Sequence, residues 1–191
     1  MKLKINDLSC YEQKEGWLLD GFCLEATAGD FVEVEGISYA AGTVLAECIA
    51  GRRKPEGGNV SIDRDGDKEA QKLRISIVDR ETGQVPYLTL RENLLLVLDA
   101  AKRELPGKAA VELRTVQDQL DLFQCEYKLP DQLSVKEMDR ARLAMAILIA
   151  PDILVINGLP ENGTKQDRVG FTELAKSVCK VANRIVVMIE R

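Results

Sequence analysis

Phe31-Val32-Glu33-Val34-Glu35-Gly36-Ile37-Ser38-Tyr39-Ala40-Ala41-Gly42-Thr43-Val44-Leu45 is the stretch on which the reading of this 191-residue chain turns. A mostly apolar, β-branched run from Phe31 to Glu35 leads into Gly36, and an amphipathic run from Val44 to Ala50 leads out. Strand, loop and helix in that order are the setting of G-x-x-x-x-G-K-[ST], whose backbone N–H groups cradle phosphates and whose lysine reaches the terminal ones. The eight positions here read Gly36, Ile37, Ser38, Tyr39, Ala40, Ala41, Gly42, Thr43. The first glycine and the final hydroxyl are present, Ala41 stands at the second glycine, and Gly42 stands at the lysine. Taken alone, the stretch reads more readily as a generic Gly/Ala turn into a helix.

Composition narrows the setting. With 46% hydrophobic and 30% charged residues the chain reads as one globular domain, long enough for a packed core and short for two. It contains no run of about 18 consecutive apolar residues. The N-terminus, Met1 to Asp7, alternates and carries charge, unlike a signal peptide, so a cytoplasmic location is the expectation. A net charge of −5 and the absence of a long basic cluster argue against nucleic acid as the main partner. The five cysteines, Cys10, Cys23, Cys48, Cys125 and Cys179, form no C-x-x-C pair and read as ordinary buried thiols. There is no histidine, which excludes every mechanism that needs an imidazole.

Periodicity supplies the elements. Residues 2–9 and 17–25 alternate and read as antiparallel strands joined by a turn over Glu12 to Gly16. A helix is predicted over 43–51, the turn Pro55-Glu56-Gly57-Gly58-Asn59 follows, and short strands are predicted at 60–62 and 74–78, with a polar turn at Asp63 to Asp67 between them. Thr89 with Glu92, and Ser134 with Glu137, have the spacing of capping boxes that open helices. Pro106-Gly107 is expected to end the first of these helices, with another running from about Lys108 to Leu122. The charges Asp139, Arg140 and Arg142 read as a solvated face. Asp152 to Asn157 and Ile185 to Ile189 are continuous apolar runs, the mark of strands buried on both faces of a parallel sheet, and 164–182 suits a helix between them.

This order resembles the nucleotide-binding domain of an ABC transporter, and the likeness covers nearly the whole chain. Leu8-Ser9-Cys10-Tyr11, Leu19-Asp20-Gly21-Phe22 and Gly29-Asp30-Phe31-Val32 resemble the family's opening sheet, with Tyr11 at the aromatic that stacks on adenine. Ile49-Ala50-Gly51 and Pro55-Glu56-Gly57-Gly58 resemble the segment after Walker A. Val85-Pro86-Tyr87-Leu88-Thr89-Leu90-Arg91-Glu92-Asn93-Leu94 resembles the stretch after the Q-loop. Gln132-Leu133-Ser134 begins like the signature motif, and Ala150-Pro151-Asp152-Ile153-Leu154-Val155-Ile156 resembles the Walker B strand.

The departures fall on the chemistry. By this likeness Gly42 stands at the phosphate lysine, Arg80 at the Q-loop glutamine with Gln84 nearby out of register, Asn157 at the Walker B aspartate, Gly158 at the glutamate that polarises water, and Ile189 at the switch histidine. The signature reads Leu133-Ser134-Val135-Lys136-Glu137, without its glycines, and Glu161-Asn162-Gly163-Thr164 lacks the aspartate usual after Walker B.

The fold expected is therefore α/β, a single P-loop NTPase-like ABC cassette over 1–191, with a core (1–88 and 149–191) of N-terminal antiparallel strands and a parallel sheet, and a helical subdomain at about 89–148. The chain ends just past the switch strand, so the C-terminal helices common in the family are not expected. The resemblance implies a catalytically impaired ATP-binding subunit, a pseudo-ATPase with no intact catalytic residue, acting as a structural or regulatory partner of a membrane transporter. Two alternatives stand beside it: a weak ATP-hydrolysing cassette completed by a partner, and a stand-alone scaffold. Tyr11, Gly36, Ser38, Gly42 and Thr43 are the positions that would touch a nucleotide, with Ser38 as an added donor. No cofactor is expected beyond a weak ATP contact, and no metal. The partners implied are a membrane permease, an active ABC ATPase subunit and a homo- or heterodimer mate, at the inner face of the cell membrane.

Overall fold

The computed structural model describes residues 1–64, 73–101, 106–160, 164–180 and 183–190, the side chains of 106–111 and 178–180 excepted. The expected turn at Asp63 to Asp67 falls partly, and Glu161-Asn162-Gly163 wholly, outside the described residues. Chain order is β1 (Lys2–Glu12), β2 (Gly16–Thr27), β3 (Phe31–Val34), α1 (Tyr39–Ile49), β4 (Gly57–Asp63), β5 (Ile75–Asp79), α2 (Leu90–Ala100), α3 (Pro106–Gln119), α4 (Val135–Leu148), β6 (Ile153–Asn157), α5 (Lys165–Lys180) and β7 (Ile185–Ile189). Two compact units result, one of residues 1–77, 152–158 and 179–191, the other of 78–151 and 159–178.

The first unit holds two sheets. β1 pairs antiparallel with both β2 and β4, in the order β2-β1-β4. The other sheet has the order β3-β7-β6-β5, and β3, β7 and β6 run parallel. Every residue of β6 and β7 is buried, as their unbroken apolar sequences require of strands covered on both sides. α1 fills the space between the sheets' apolar faces: Leu45 and Ile49 share one core cluster with Leu3, Ile5 and Leu8 of β1 and with Val155 and Val187 of the parallel sheet. The register aligns Val34 and Asn157 with Ile189, so the C-terminal ends of β3, β6 and β7 form one row. In sheets of this type the row outside the strands' carboxyl ends is where ligands bind.

One expected boundary is wrong in a way that matters. α1 begins at Tyr39, not at residue 43. Ser38 is the reason: its Oγ accepts the N–H of Ala41 at 3.1 Å, and its carbonyl accepts that of Gly42 at 2.9 Å. The side-chain bond is an N-cap, and Tyr39-Ala40-Ala41 contains no glycine to keep the backbone out of a helix.

In the second unit, the two capping boxes form as spaced. Thr89 Oγ1 accepts from Glu92 N and Glu92 Oε2 accepts from Thr89 N, and Ser134 and Glu137 do the same. Asn93 is buried and fully used, accepting from Val85 N and donating to the carbonyls of Val85, Leu88 and Thr89. That one amide holds the Val85–Thr89 turn against α2. Pro106 starts α3, whereas it was expected to end the preceding helix; a proline without an N–H suits the first helical position, where that donor has no intrahelical acceptor. The Asp139 charge is also not solvated. Asp139 is buried beside Arg142 (Nη1 to Oδ1, 3.3 Å), whose Nε donates to Thr82 O.

Glu137 carries both cap and ion pair. Lys128 Nζ at 2.8 Å, then the Ser134 hydrogen bonds, lower its carboxyl to about 2. A carboxylate with a depressed folded-state value stabilises above its ordinary value, here 4.5, and loses that contribution as pH falls toward 2. Glu137→Gln should therefore lower the Tm at pH 7, and the deficit should shrink steadily across that interval in a pH series of melting curves. Ser134→Ala should cost about 1 kcal/mol by urea denaturation at neutral pH.

Candidate functional site

At the row formed by Val34, Asn157 and Ile189, the first turn of α1 meets the ends of β6 and β7. Asn157 is 1% exposed. Its Nδ2 donates to Thr43 Oγ1 at 3.0 Å and reaches Tyr39 O at 3.4 Å, while Thr43 Oγ1 itself donates to Tyr39 O at 3.0 Å. The Thr43 hydroxyl therefore has both its proton and a lone pair engaged within the chain. Asn157 Oδ1 is buried with no hydrogen-bond partner.

Two glycines make this packing possible. A Cβ on Gly42 would overlap Asn157 Oδ1, and would lie 3.0 Å from both Asn157 Cγ and Ile189 Cγ2. Gly158 has φ +66°, where side chains are disfavoured, and a Cβ there would lie 2.8 Å from Cδ2 of the Tyr39 ring. Its N–H donates to Ile189 O. The position aligned with the lysine is thus filled from the side by Asn157, and the position aligned with the glutamate lies under an aromatic ring. Gly36 sits apart at φ +79° with open space around it.

The structure therefore brings Gly42, Thr43, Asn157, Gly158 and Ile189 together. Ser38 also lies at the end of α1, where its Oγ accepts the Ala41 N–H of its own helix. Tyr11, on β1, is 43% exposed and sits edge-on to Trp17 with ring centroids 5.4 Å apart. Beside the start of α1 is an open recess of ≈ 670 Å³ lined by Glu12, Lys14, Glu15, Glu47 and Arg53 as well as Tyr39 and Thr43. Three carboxylates face two cations there, and Arg53 is already paired with Glu12 and bonded to Tyr11 O.

Arg80, Leu133 and Ser134 belong to the other unit. Arg80 Nε lies 3.5 Å from Glu81, Ser134 caps α4, and Leu133 precedes it in extended conformation. Both amide atoms of Gln84 are buried with no hydrogen-bond partner. What sequence reasoning missed is the place of the Tyr39 ring. Its bulk in a loop usually built of small residues was the available signal, but nothing local says that its ring covers Gly158.

Among the described residues no three His, Cys, Asp or Glu side chains cluster to hold a metal ion. No helix among them is long and apolar enough to cross a membrane.

Known proteins identify the setting. The family model described as ABC transporter matches residues 19–157. Curated relatives include the bacitracin export ATP-binding protein BceA of Halalkalibacterium halodurans, 28% identical over 72% of this chain and 57% of its own length. The nitrate import ATP-binding protein NrtD of Synechococcus elongatus is 28% identical over 70% and 49%, and the cell division ATP-binding protein FtsE of Bacillus subtilis is 29% identical over 72% and 63%. The chain spans about half the length of such relatives. The fold agrees with the solved structure of cbiO1 from Clostridium perfringens (TM-score 0.77, 14% identity, 99% of this chain and 78% of that one). It agrees equally with a dimeric bacterial ABC transporter cassette (TM-score 0.77, 21% identity, 98% and 87%).

Gly42→Ala should cost about 1–3 kcal/mol, because the added methyl has no room. Combining it with Asn157→Ala should cost less than the sum of the two single changes by at least 0.5 kcal/mol, roughly the lower bound for contacting residues. Urea denaturation of the four proteins measures this, and additive costs would mean the two positions do not share the space.

Proposed function

This chain belongs to the ABC transporter family, and from that premise we propose that it is a catalytically silent cassette, a structural or regulatory partner in a membrane transporter assembly. Phosphoryl transfer in such proteins relies on positioned charge: a lysine on the terminal phosphates, a carboxylate behind the metal, and a group that orients water. The observation that carries the reading is the interlock of Asn157 with Gly42 and of Tyr39 with Gly158, which leaves no room for a lysine at the first glycine or a glutamate at the second.

On this reading the residues present do not fit a magnesium nucleotide. Asn157 is neutral and its Nδ2 is committed to Thr43. The Thr43 hydroxyl points its proton at Tyr39 O. Winding the loop into helix from Tyr39 consumes the Ala41 and Gly42 N–H groups that an open phosphate-binding loop would present. The acidic recess beside α1 adds repulsion toward a polyphosphate. Tyr11, Gly36, Ser38, Gly42 and Thr43 remain the positions a weakly held nucleotide would touch.

The partners are a permease and an ATP-hydrolysing cassette, which supplies the energy this chain does not. The export and import roles in the relatives' names support the transporter setting. In the second unit Tyr87 and Tyr127 are 79% and 73% exposed, and Leu96 is also exposed. Large apolar and aromatic side chains in such positions suit a surface that a partner covers. The chain is held at the inner membrane face through that contact.

Thermal melting with millimolar ATP and Mg²⁺, together with a phosphate-release assay, tests the silent-site reading. No shift and no release are expected, whereas a ligand at about 100 times its Kd would stabilise by about 2.7 kcal/mol. A clear shift with release makes the chain a working ATPase instead. Affinity purification from detergent-solubilised membranes should bring down an integral permease and a second cassette. Recovery of the chain without either would favour the stand-alone scaffold.

A further inference from the structure

Two buried cysteines take no part in the site described above. Cys10 lies in β1 and Cys48 is the penultimate residue of α1, 38 positions away. Their sulfurs are 3.7 Å apart, both side chains are buried (0% and 4% exposed), and both are free thiols. The β1–β2 register shifts on each side of Cys10, between Leu8 and Cys10 and again between Cys10 and Tyr11. Such irregularities re-aim a side chain, and here they stand beside the residue that faces the helix. A disulfide needs sulfurs about 2.05 Å apart, so closure asks for a relative movement of under about 2 Å. We propose that Cys10 and Cys48 are an oxidisable pair that forms a reversible disulfide, stapling the C-terminal turn of α1 to strand β1.

The oxidant is a small peroxide. One thiolate attacks a peroxide oxygen, the O–O bond breaks, and the departing hydroxide takes a proton to become water, leaving a sulfenic acid. The second sulfur then attacks the sulfenic sulfur; the S–O bond breaks, the hydroxide leaves with the second thiol's proton as water, and the S–S bond forms. Two electrons pass from the sulfur pair to the peroxide, and an added dithiol returns them by exchange.

Burial sets the rate. It is the first cause pushing the Cys48 thiol up to about 12, followed by the hydrogen bond and charge of Cys10; Glu47 adds to the rise and Arg53 opposes it. The thiolate is the reactive form, so oxidation is slow at neutral pH and quickens as pH rises toward that value. The staple would reinforce a junction already bridged by Arg53, which contacts Glu12 and Tyr11 O from beyond the end of α1. None of this depends on whether the chain binds nucleotide.

The test is hydrogen peroxide treatment of the whole folded chain, followed by peptide mapping under non-reducing conditions. The expected result is a Cys10–Cys48 linked peptide lighter by two hydrogen atoms, formed faster at pH 9.5 than at pH 8.5. The oxidised protein should melt on the order of 5–10 °C higher, since closing a loop of this length restricts the unfolded chain. Dithiothreitol should reverse both changes. Cys10→Ala and Cys48→Ala should each abolish them, while Cys23→Ser, at an exposed thiol, should not. If either alanine variant fails to fold, the map of the unmodified sequence decides. Linkage through Cys23, Cys125 or Cys179, over-oxidation of Cys10 or Cys48 without a link, or unchanged thiols at the higher pH would each overturn the proposal.

Discussion

The side-chain amide of Asn157 is the constraint on which the first unit's functional edge depends. It sits at the carboxyl end of a strand buried on both faces, where an unpartnered polar group is expensive, and it answers that cost with one end only. Nδ2 binds Thr43 and reaches Tyr39 O, tying β6 to the first turn of α1. Oδ1 stays unpaired and lies where a side chain on Gly42 would go. Gly42, Thr43 and Tyr39 are therefore not independent features of the loop. Each is shaped to the same amide or to the glycine that follows it.

Sterics and electrostatics act together at this edge. Ser38 satisfies the Ala41 N–H and lets α1 start early, and an early start swings Tyr39 into the position from which its ring covers Gly158. Phosphate binding at a helix end relies on free N–H groups, so the same hydrogen bonds that stabilise α1 remove donors from the surface. The glutamates of the neighbouring recess bias the local field in the same direction.

Local chemistry was legible wherever a short segment decides its own geometry. The capping boxes Thr89/Glu92 and Ser134/Glu137 form because cap and partner are three residues apart on one turn. The apolar runs 152–157 and 185–189 led to buried parallel strands because only such strands can lack a polar face. The start of α1 was not legible in the same way. Ser38 and Thr43 both have side chains that can cap a helix, and likeness to a phosphate-binding loop pointed to Thr43, whereas Ser38 is the residue that caps. Asp139 looked like part of a solvated charge run, since nothing local reveals that Thr82, far away in sequence, offers a carbonyl to Arg142.

By itself the sequence determined the family's strand and helix order, the helix caps, and the residue types at each position where phosphoryl-transfer chemistry would need a charge. It could do so because periodicity, capping and residue identity are properties of short windows. Only the tertiary structure decided that those positions are filled and interlocked, with Asn157 against Gly42 and Tyr39 over Gly158. It alone also put Cys10 within 3.7 Å of Cys48. Those contacts join residues more than 30 positions apart, and their distances follow from the pairing of strands in both sheets and the seating of α1, which no single window of sequence contains.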